Sequence, residues 1–301
     1  MFGEIIYWLI NMSITATITG CAILLLEKFK KIPRKVICFL WIIPFIRMWL
    51  PFGFASKYNL MWFISKFTTK VVYVKHHNYL SATNFAMLAD EYFPITYKSD
   101  DLYYFFNIAS IIWLTVFTVL LIIAFTLYFC SKQNIKNAIF LYDNVYVSDN
   151  VTTPAVYGIF KPKIILPTCY KNKDVIFILA HEKSHIKSKD NLWRMIGLVT
   201  VILHWFNPFA WLFLKHFLAD LEFACDERVL KTLDKNQKKD YAKSLLDVTE
   251  SKYSFISAFG GASIHKRINN ILSYKKLSLF SAIYISVFTV ILGYILLTNA
   301  V

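Results

Sequence analysis

The chain has 301 residues, of which 57% are apolar, and it carries a formal net charge of +14. Soluble domains are about 45–50% apolar, so this composition excludes an ordinary soluble globule. The excess of apolar residues predicts that much of the chain is buried in a lipid bilayer.

Four apolar stretches are long enough to cross a bilayer core, which takes about 20 helical residues. They cover about residues 5–26, 36–54, 105–129 and 277–297. The second stretch contains Pro44 and Pro51, which membrane helices tolerate where neighbouring helices satisfy the freed backbone groups. The sequence therefore predicts about four transmembrane helices.

Basic residues set the expected orientation. A cluster of them lies between the first two spans, namely Lys28, Lys30, Lys31, Arg34 and Lys35. Because cytoplasmic loops are enriched in Lys and Arg, this connection is expected on the cytoplasmic side of the cell membrane, and both chain ends are expected on the outer side. The protein would then be a multi-pass one, with a membrane region at 1–130 that includes an outer loop at 55–104, a cytoplasmic domain at 131–276 and a last span at 277–301. The basic charge of the cytoplasmic domain fits contact with anionic membrane lipids, and it fits the ordinary positive-inside bias equally.

Strand signals open the cytoplasmic domain. Val145–Val147 predicts a strand, and Ala155–Phe160 with Lys163–Leu166 predicts a hairpin. A helix capped by Asp174 is expected to follow and to continue to about residue 187. Together these signals predict an α+β domain.

The apolar segment 192–217 resembles a further span but is interrupted by Arg194, His204 and Asn207-Pro208. The residue before a proline avoids the helical region, so Asn207-Pro208 predicts a turn. We therefore expect two helices, at about 191–206 and 208–230. The part at about 191–219 would form a hairpin that lies on the membrane surface or dips into it.

The residues His181-Glu182-Lys183-Ser184-His185 fit the pattern H-E-x-x-H. Residues four apart share a helix face, so both imidazoles can reach one ion, and two neutral histidines suit Zn²⁺. A solvated helix that happens to carry these residues is the plain alternative. The motif follows an apolar helical stretch, which favours a buried catalytic helix.

A second acidic pattern, Glu222-Phe223-Ala224-Cys225-Asp226, supplies a candidate third ligand. Glu222 and Asp226 share a helix face, so Glu222 can bind a metal while Asp226 orients an imidazole. A buried carboxylate is costly without a cation, and one zinc ion per chain would provide it. If 192–217 crossed the bilayer once, Glu222 would lie about 30 Å from the histidines. A zinc site therefore requires the turn at Asn207-Pro208.

The chemistry expected of such a site is metal-assisted hydrolysis. Zinc lowers the pKa of a bound water toward about 7, and Glu182 would act as the general base. A substrate could lie extended along the edge of the 155–166 hairpin, although a purely structural hairpin is an equal alternative.

These motifs resemble the BlaR/MecR family of bacterial antibiotic-sensing membrane metallopeptidases. The resemblance rests on Phe160-Lys161-Pro162-Lys163-Ile164-Ile165-Leu166-Pro167, the H-E-x-x-H motif, Asp190, Asn207-Pro208-Phe209-Ala210-Trp211 and 222–226. It implies a gluzincin-like zinc domain inserted between the third and fourth spans. His181, His185 and Glu222 would bind zinc, Glu182 would be the catalytic base, and Asp226 and Asp190 would support the ligands.

The resemblance also implies signal transduction by regulated self-proteolysis. Cleavage is expected at Ser263–Ile264, and the other protein substrate would be a cytoplasmic repressor of resistance genes. Direct nucleic-acid binding is not expected, and a homodimer is left open. The best-known members carry a penicillin-binding sensor after the last span, which is not found in these 301 residues. The chain is therefore a relative without that sensor, or a fragment.

Two other functions fit the same residues. A housekeeping membrane zinc protease of the prenyl-protein or heat-shock type would share the zinc chemistry. A non-enzymatic membrane signalling subunit would use the zinc structurally, with a fourth protein ligand such as His204, His216 or His265.

Overall fold

The computed structural model describes residues 2–28, 32–50, 71–76, 79–84, 100–170, 175–250, 264–273 and 279–297. Within these ranges the protein is mostly helical, with a two-stranded hairpin and one small four-stranded mixed sheet.

Two helices are long and apolar enough to cross a membrane. They are α1 (Phe2–Glu27) and α4 (Asp100–Asn134), and their apolar windows are Trp8–Glu27 and Tyr104–Gln133. Only 11% of the α4 window is buried, whereas the apolar core helix of a soluble protein would be mostly buried. These helices coincide with the first and third predicted spans.

The second predicted span is not one helix. It consists of α2 (Arg34–Leu40) and α3 (Ile42–Trp49), with a break at Trp41. Pro44 explains the break, because it has no N–H to donate to the carbonyl of Leu40 and its ring crowds that carbonyl. Residues 51–54 of the predicted span lie outside the described residues. The fourth predicted span contains the last helix, α10 (Leu279–Leu297).

The predicted outer loop contains a hairpin that the sequence did not indicate. Strands β1 (Val71–His76) and β2 (Tyr79–Asn84) pair antiparallel.

The four-stranded sheet has the order β3-β4-β6-β5. Its strands are β3 (Ile139–Tyr142), β4 (Val145–Ser148), β5 (Ala155–Tyr157) and β6 (Lys163–Pro167). The predicted hairpin is confirmed, since β5 pairs antiparallel with β6, and the predicted strand at 145–147 is β4. Strand β3 and the parallel pairing of β4 with β6 were not predicted. Val145, Val147, Ile164 and Leu166 are buried against Ile178 of the next helix, so the sheet supports that helix.

Three helices follow the sheet and build the site. They are α5 (Ile176–Lys187), α6 (Asp190–Leu203) and α7 (Pro208–Leu230). The predicted cap at Asp174 lies outside the described residues. Helices α6 and α7 meet at the predicted turn, where Asn207 caps α7 by accepting a hydrogen bond from the Phe209 N–H at 3.0 Å. A Cβ on Gly197 would lie 2.9 Å from a methyl of Leu214, so a glycine permits the close packing of α6 on α7.

Helices α8 (Lys235–Glu250) and α9 (Ile264–Ser273) pack on the C-terminal end of α7. Tyr241 and Ile271 are buried there with Val229 and Leu230. At the other end of α7, Phe213 and Phe217 share a core with Trp41, so α7 links the apolar helices to the site.

Candidate metal centre

Three side chains from two helices converge on one point. His181 and His185 lie one turn apart on α5, and their Nε2 atoms are 3.1 Å apart. Glu222 of α7 faces both, with Oε2 3.6 Å from His181 Nε2 and Oε1 3.7 Å from His185 Nε2. The structure thus brings together all three residues that the sequence predicted as ligands.

The ring of His185 is held from behind by Asp190, the first residue of α6. His185 Nδ1 lies 2.6 Å from Asp190 Oδ2, and Asp190 is 1% exposed. The same oxygen accepts a hydrogen bond from Arg228 Nη2 at 2.8 Å. Because a carboxylate can only accept, Asp190 fixes a proton on His185 Nδ1, so that the neutral form of the ring presents its lone pair on Nε2.

The ring of His181 is held by a relay through Tyr241 of α8. The Tyr241 hydroxyl donates to Asp226 Oδ1 at 2.6 Å, so its oxygen is left to accept from His181 Nδ1 at 2.8 Å. Asp226 Oδ1 itself lies 3.3 Å from His181 Nδ1. Asp226 thus stands behind an imidazole, where the sequence predicted it, and the intervening Tyr241 was not predicted.

This arrangement fits a zinc ion on chemical grounds. With both protons on Nδ1, the two Nε2 lone pairs face each other across 3.1 Å beside the Glu222 carboxylate, and Arg267 Nη2 lies 3.3 Å from His181 Nε2. A divalent cation at this point would satisfy both lone pairs and the carboxylate at once. Ligand atoms bound at about 2.0–2.1 Å to a tetrahedral zinc lie about 3.3 Å from one another, close to the spacing found here.

The electrostatics favour a positive charge at the same point. Burial lowers the pKa of His185, but the charge of Glu222 and the hydrogen bond to Asp190 raise it to about 9. Burial would raise the pKa of Glu222, but His185, Arg267 and Arg194 hold it well below its usual range. The site therefore keeps Glu222 ionised and favours positive charge between the rings, carried by a proton on His185 or by a metal ion in its place.

Cys225 offers a different ligand set with the two histidines, since one donor atom from each of the three residues lies within 4.8 Å of the others. However, Cys225 Sγ contacts His181 Nδ1 at 3.5 Å and donates to the His181 backbone oxygen at 3.3 Å. Nδ1 is the nitrogen opposite the one that faces Glu222. The geometry around Nε2 therefore favours Glu222 as the third ligand.

Two arginines flank Glu222, and the sequence indicated a site role for neither. Arg267 of α9 forms a fork on Asp226, with Nε and Nη2 each at 2.8 Å, and its Nη1 lies 3.2 Å from Glu222 Oε2. Arg194 of α6 reaches Glu222 Oε1 from the other side at 2.6 Å. Burial raises the pKa of Asp226, but Arg267 lowers it to about 2, so the two arginines face two ionised carboxylates.

Glu182, the predicted base, follows His181 on α5 and is 9% exposed. Within the part of the chain that the structure describes, its carboxylate has no hydrogen-bond or ion-pair partner. A nearly buried carboxylate without a partner is costly.

The histidines proposed as a fourth ligand lie elsewhere. His204 is fully buried between Ser13 and the Met48 carbonyl, and His216 pairs with Glu27 at 2.7 Å. His265 is exposed on α9. Of the predicted self-cleavage pair, Ile264 is the first residue of α9, and Ser263 lies outside the described residues.

A cavity of about 320 Å³ opens beside His185, between α5, the start of α6 and the β5–β6 loop. Its walls include Val156, Ile159, Phe160 and Leu192. Asn191 Nδ2 donates to the carbonyls of Val156 and Gly158 at 3.0 and 3.1 Å. A substrate strand added to the β5 edge would therefore compete with Asn191 for these two carbonyls.

Apolar helices joined to a helix pair that carries two histidines and a glutamate define a membrane-associated peptidase with a candidate metal centre. The chain belongs to the BlaR1 peptidase M56 family, whose model matches residues 7–273. Peptidases of this family are zinc metallopeptidases in general.

Curated relatives agree with this family. The chain is 32% identical to regulatory protein BlaR1 of Bacillus licheniformis over 157 residues, which is 48% of this chain and 26% of that protein. It is 32% identical to the methicillin resistance mecR1 protein of Staphylococcus aureus strain Mu50 over 114 residues, 36% of this chain and 20% of that protein. It is 26% identical to BlaR1 of Staphylococcus aureus over 218 residues, 62% of this chain and 37% of that protein. The chain thus matches about a fifth to just over a third of the length of these relatives.

Proposed function

We propose that this chain is a multi-pass membrane zinc endopeptidase that acts in signal transduction by regulated proteolysis. The observation that carries the proposal is the convergence of His181, His185 and Glu222, whose facing atoms lie 3.1–3.7 Å apart. Asp190 and the Tyr241–Asp226 pair support it, because they set both imidazole tautomers for metal binding.

In the proposed mechanism, His181, His185 and Glu222 would hold zinc, which would supply Lewis acidity and lower the pKa of a water. Glu182 takes a proton from the attacking water and passes it to the leaving amine nitrogen. Its burial, with no partner among the described residues, supports this role, since a carboxylate that is not held by another group can accept a proton. Asp190 keeps the His185 ring fixed throughout the reaction.

The substrate is proposed to be a protein segment, either part of this chain or a cytoplasmic transcriptional repressor of antibiotic resistance genes. The cavity beside His185 would take an apolar side chain next to the cleaved bond, since Ile159, Phe160 and Leu192 line it. Because Ile264 lies only three residues before Arg267 on α9, the Ser263–Ile264 bond is our choice for self-cleavage. A homodimer would allow this cleavage between two copies.

The zinc domain is proposed to face the cytoplasm, with both chain ends outside. Two observations support this. The basic connection that starts at Lys28 would lie inside by the positive-inside rule. Glu227 of α7 accepts hydrogen bonds from the backbone N–H groups of Arg34 and Lys35, at 3.0 and 3.4 Å, at the end of this connection. These contacts support a placement of the site helix and the basic connection on the same side of the membrane.

The test is metal analysis of detergent-purified protein together with self-fragmentation in membranes. We expect one zinc per chain in the wild type and in Glu182→Gln, with fragments formed only by the wild type. His185→Ala should lose both zinc and fragmentation. Exposed Lys187→Gln is the matched control and should behave as wild type. Zinc-independent fragmentation, or fragmentation that continues in Glu182→Gln, would contradict the proposal.

A further inference from the structure

The two arginines beside Glu222 have different surroundings. Arg267 has a side chain that is 9% exposed, and it is held by the fork on Asp226. Arg194 has a side chain that is 38% exposed, and Glu222 Oε1 is its single ion-pair partner among the described residues. Arg267 is thus fixed by contacts beyond Glu222, whereas Glu222 is the one ion-pair partner that the described residues give Arg194.

The Nε of Arg194 is a buried donor without a hydrogen-bond partner among the described residues. A buried donor without a partner is costly, and an Arg that keeps one is suited to a ligand that can accept from it. A guanidinium offers N–H groups on one planar edge, so Nε and an Nη can bind the same acceptor. Arg194 therefore has one donor that no described residue uses, next to the Nη2 that contacts Glu222.

The position of Arg194 on α6 places it next to the candidate metal ligands. Asp190 and Arg194 are four residues apart and share one face of α6. Asp190 holds the His185 ring at 2.6 Å, and one turn later Arg194 reaches the Glu222 oxygen that also faces His185 Nε2. Arg194, whose side chain is 38% exposed, therefore lies at the rim of the site, beside the Glu222 oxygen that faces His185.

We infer that Arg194 is a catalytic residue that donates hydrogen bonds to the oxygen of the peptide carbonyl under attack. This inference rests on the proposed function. A water oxygen bonds to the carbonyl carbon while its proton passes to Glu182, and the carbonyl oxygen gains a negative charge. The carbon–nitrogen bond then breaks, and the proton passes to the amine. Arg194 keeps all its protons and stabilises the charged oxygen, as preorganised donors do in other acyl transfers.

The alternative is that Arg194 only positions Glu222. The two roles differ in their effect on metal binding. A positioning residue supports metal affinity, so its loss weakens zinc binding. Removing a cation that competes for Glu222 Oε1 instead leaves zinc affinity unchanged or improves it. Zinc affinity therefore separates the two roles without a measurement of activity.

The experiment uses the detergent-purified full chain loaded with zinc and a fluorescence-quenched peptide with the sequence of residues 257–270. Zinc affinity is measured in parallel by competition with a chromophoric chelator. For Arg194→Gln we expect kcat to fall on the order of 10²–10³-fold, the usual effect of losing one such donor, with zinc affinity no weaker than in wild type. Arg194→Lys should retain part of the kcat lost in Arg194→Gln, and the control Lys187→Gln should keep the wild-type kcat.

If wild type cleaves the peptide and Glu182→Gln does not, the proposed function stands, and two results would then overturn the inference about Arg194. One is a wild-type kcat in Arg194→Gln. The other is a parallel loss of zinc affinity and kcat in a variant that still melts at the wild-type temperature, which would make Arg194 a positioning residue. If the zinc-loaded wild type fails to cleave the peptide and does not fragment, the proposed function fails, and the inference fails with it.

Discussion

The contact between Asp190 and His185 can be tested by changing one oxygen. Asp190→Asn preserves the shape of a side chain that is 1% exposed, but it removes the charge that faces His185 Nδ1 at 2.6 Å and Arg228 at 2.8 Å. An amide can also present its NH₂ group to the ring and so disfavour the tautomer with its lone pair on Nε2. Loss of such a supporting contact typically weakens metal affinity about 10- to 100-fold, which is about 1.4–2.7 kcal/mol.

The assay is zinc competition against a chromophoric chelator, with Asp247→Asn as the control because Asp247 is an exposed carboxylate on α8. We expect the zinc dissociation constant of Asp190→Asn to rise within the range given, and that of the control to stay at the wild-type value. Thermal melting of the metal-free proteins identifies any loss of folded material. An unchanged dissociation constant in a folded Asp190→Asn protein would refute the assignment of Asp190 as the residue that fixes the His185 tautomer.

Two further predictions concern the helices around the site. Arg267→Gln leaves Asp226 buried without its fork, and losing one partner of a buried ion pair typically costs about 3–5 kcal/mol, so the apparent melting temperature should fall clearly; an unchanged melting curve would contradict this. Gly20→Leu should separate α1 from α7, because even a Cβ at Gly20 would lie 2.2 Å from the Phe213 ring, and it should lower the yield of folded protein in detergent. Gly293→Leu is the control, since a Cβ there meets its nearest atom only at 4.0 Å.

Local signals in the sequence predicted much of the site. The i, i+4 spacing of His181 and His185 fixes a shared helix face whatever the surroundings, and Asn207-Pro208 breaks the apolar segment for a steric reason. Because the turn folds α7 back along α6, Glu222 approaches the histidines. The histidine spacing and the turn depend on residues close in sequence, which is why they could be predicted without a structure.

Other parts of the site depend on contacts that the sequence pattern does not specify. Tyr241 lies on a highly charged helix, and Arg267 lies 41 residues beyond Asp226. Periodicity shows that Tyr241 and Leu245 share one helix face, but it does not show which element that face covers. The helix break at Trp41 is explained by Pro44. The sequence predicted one unbroken span because membrane helices tolerate proline. Strand β3 is short and largely exposed, so it lacks the alternation of apolar and polar residues that would predict a strand.

The central claim is that α5 and α7 meet at one divalent ion. X-ray absorption at the zinc edge of the detergent-purified, zinc-loaded chain tests it most directly. We predict nitrogen and oxygen neighbours at about 2.0–2.1 Å, with two imidazoles per zinc, and loss of one oxygen neighbour in Glu222→Ala. A sulfur neighbour at about 2.3 Å, or a spectrum that Glu222→Ala leaves unchanged, would contradict the claim.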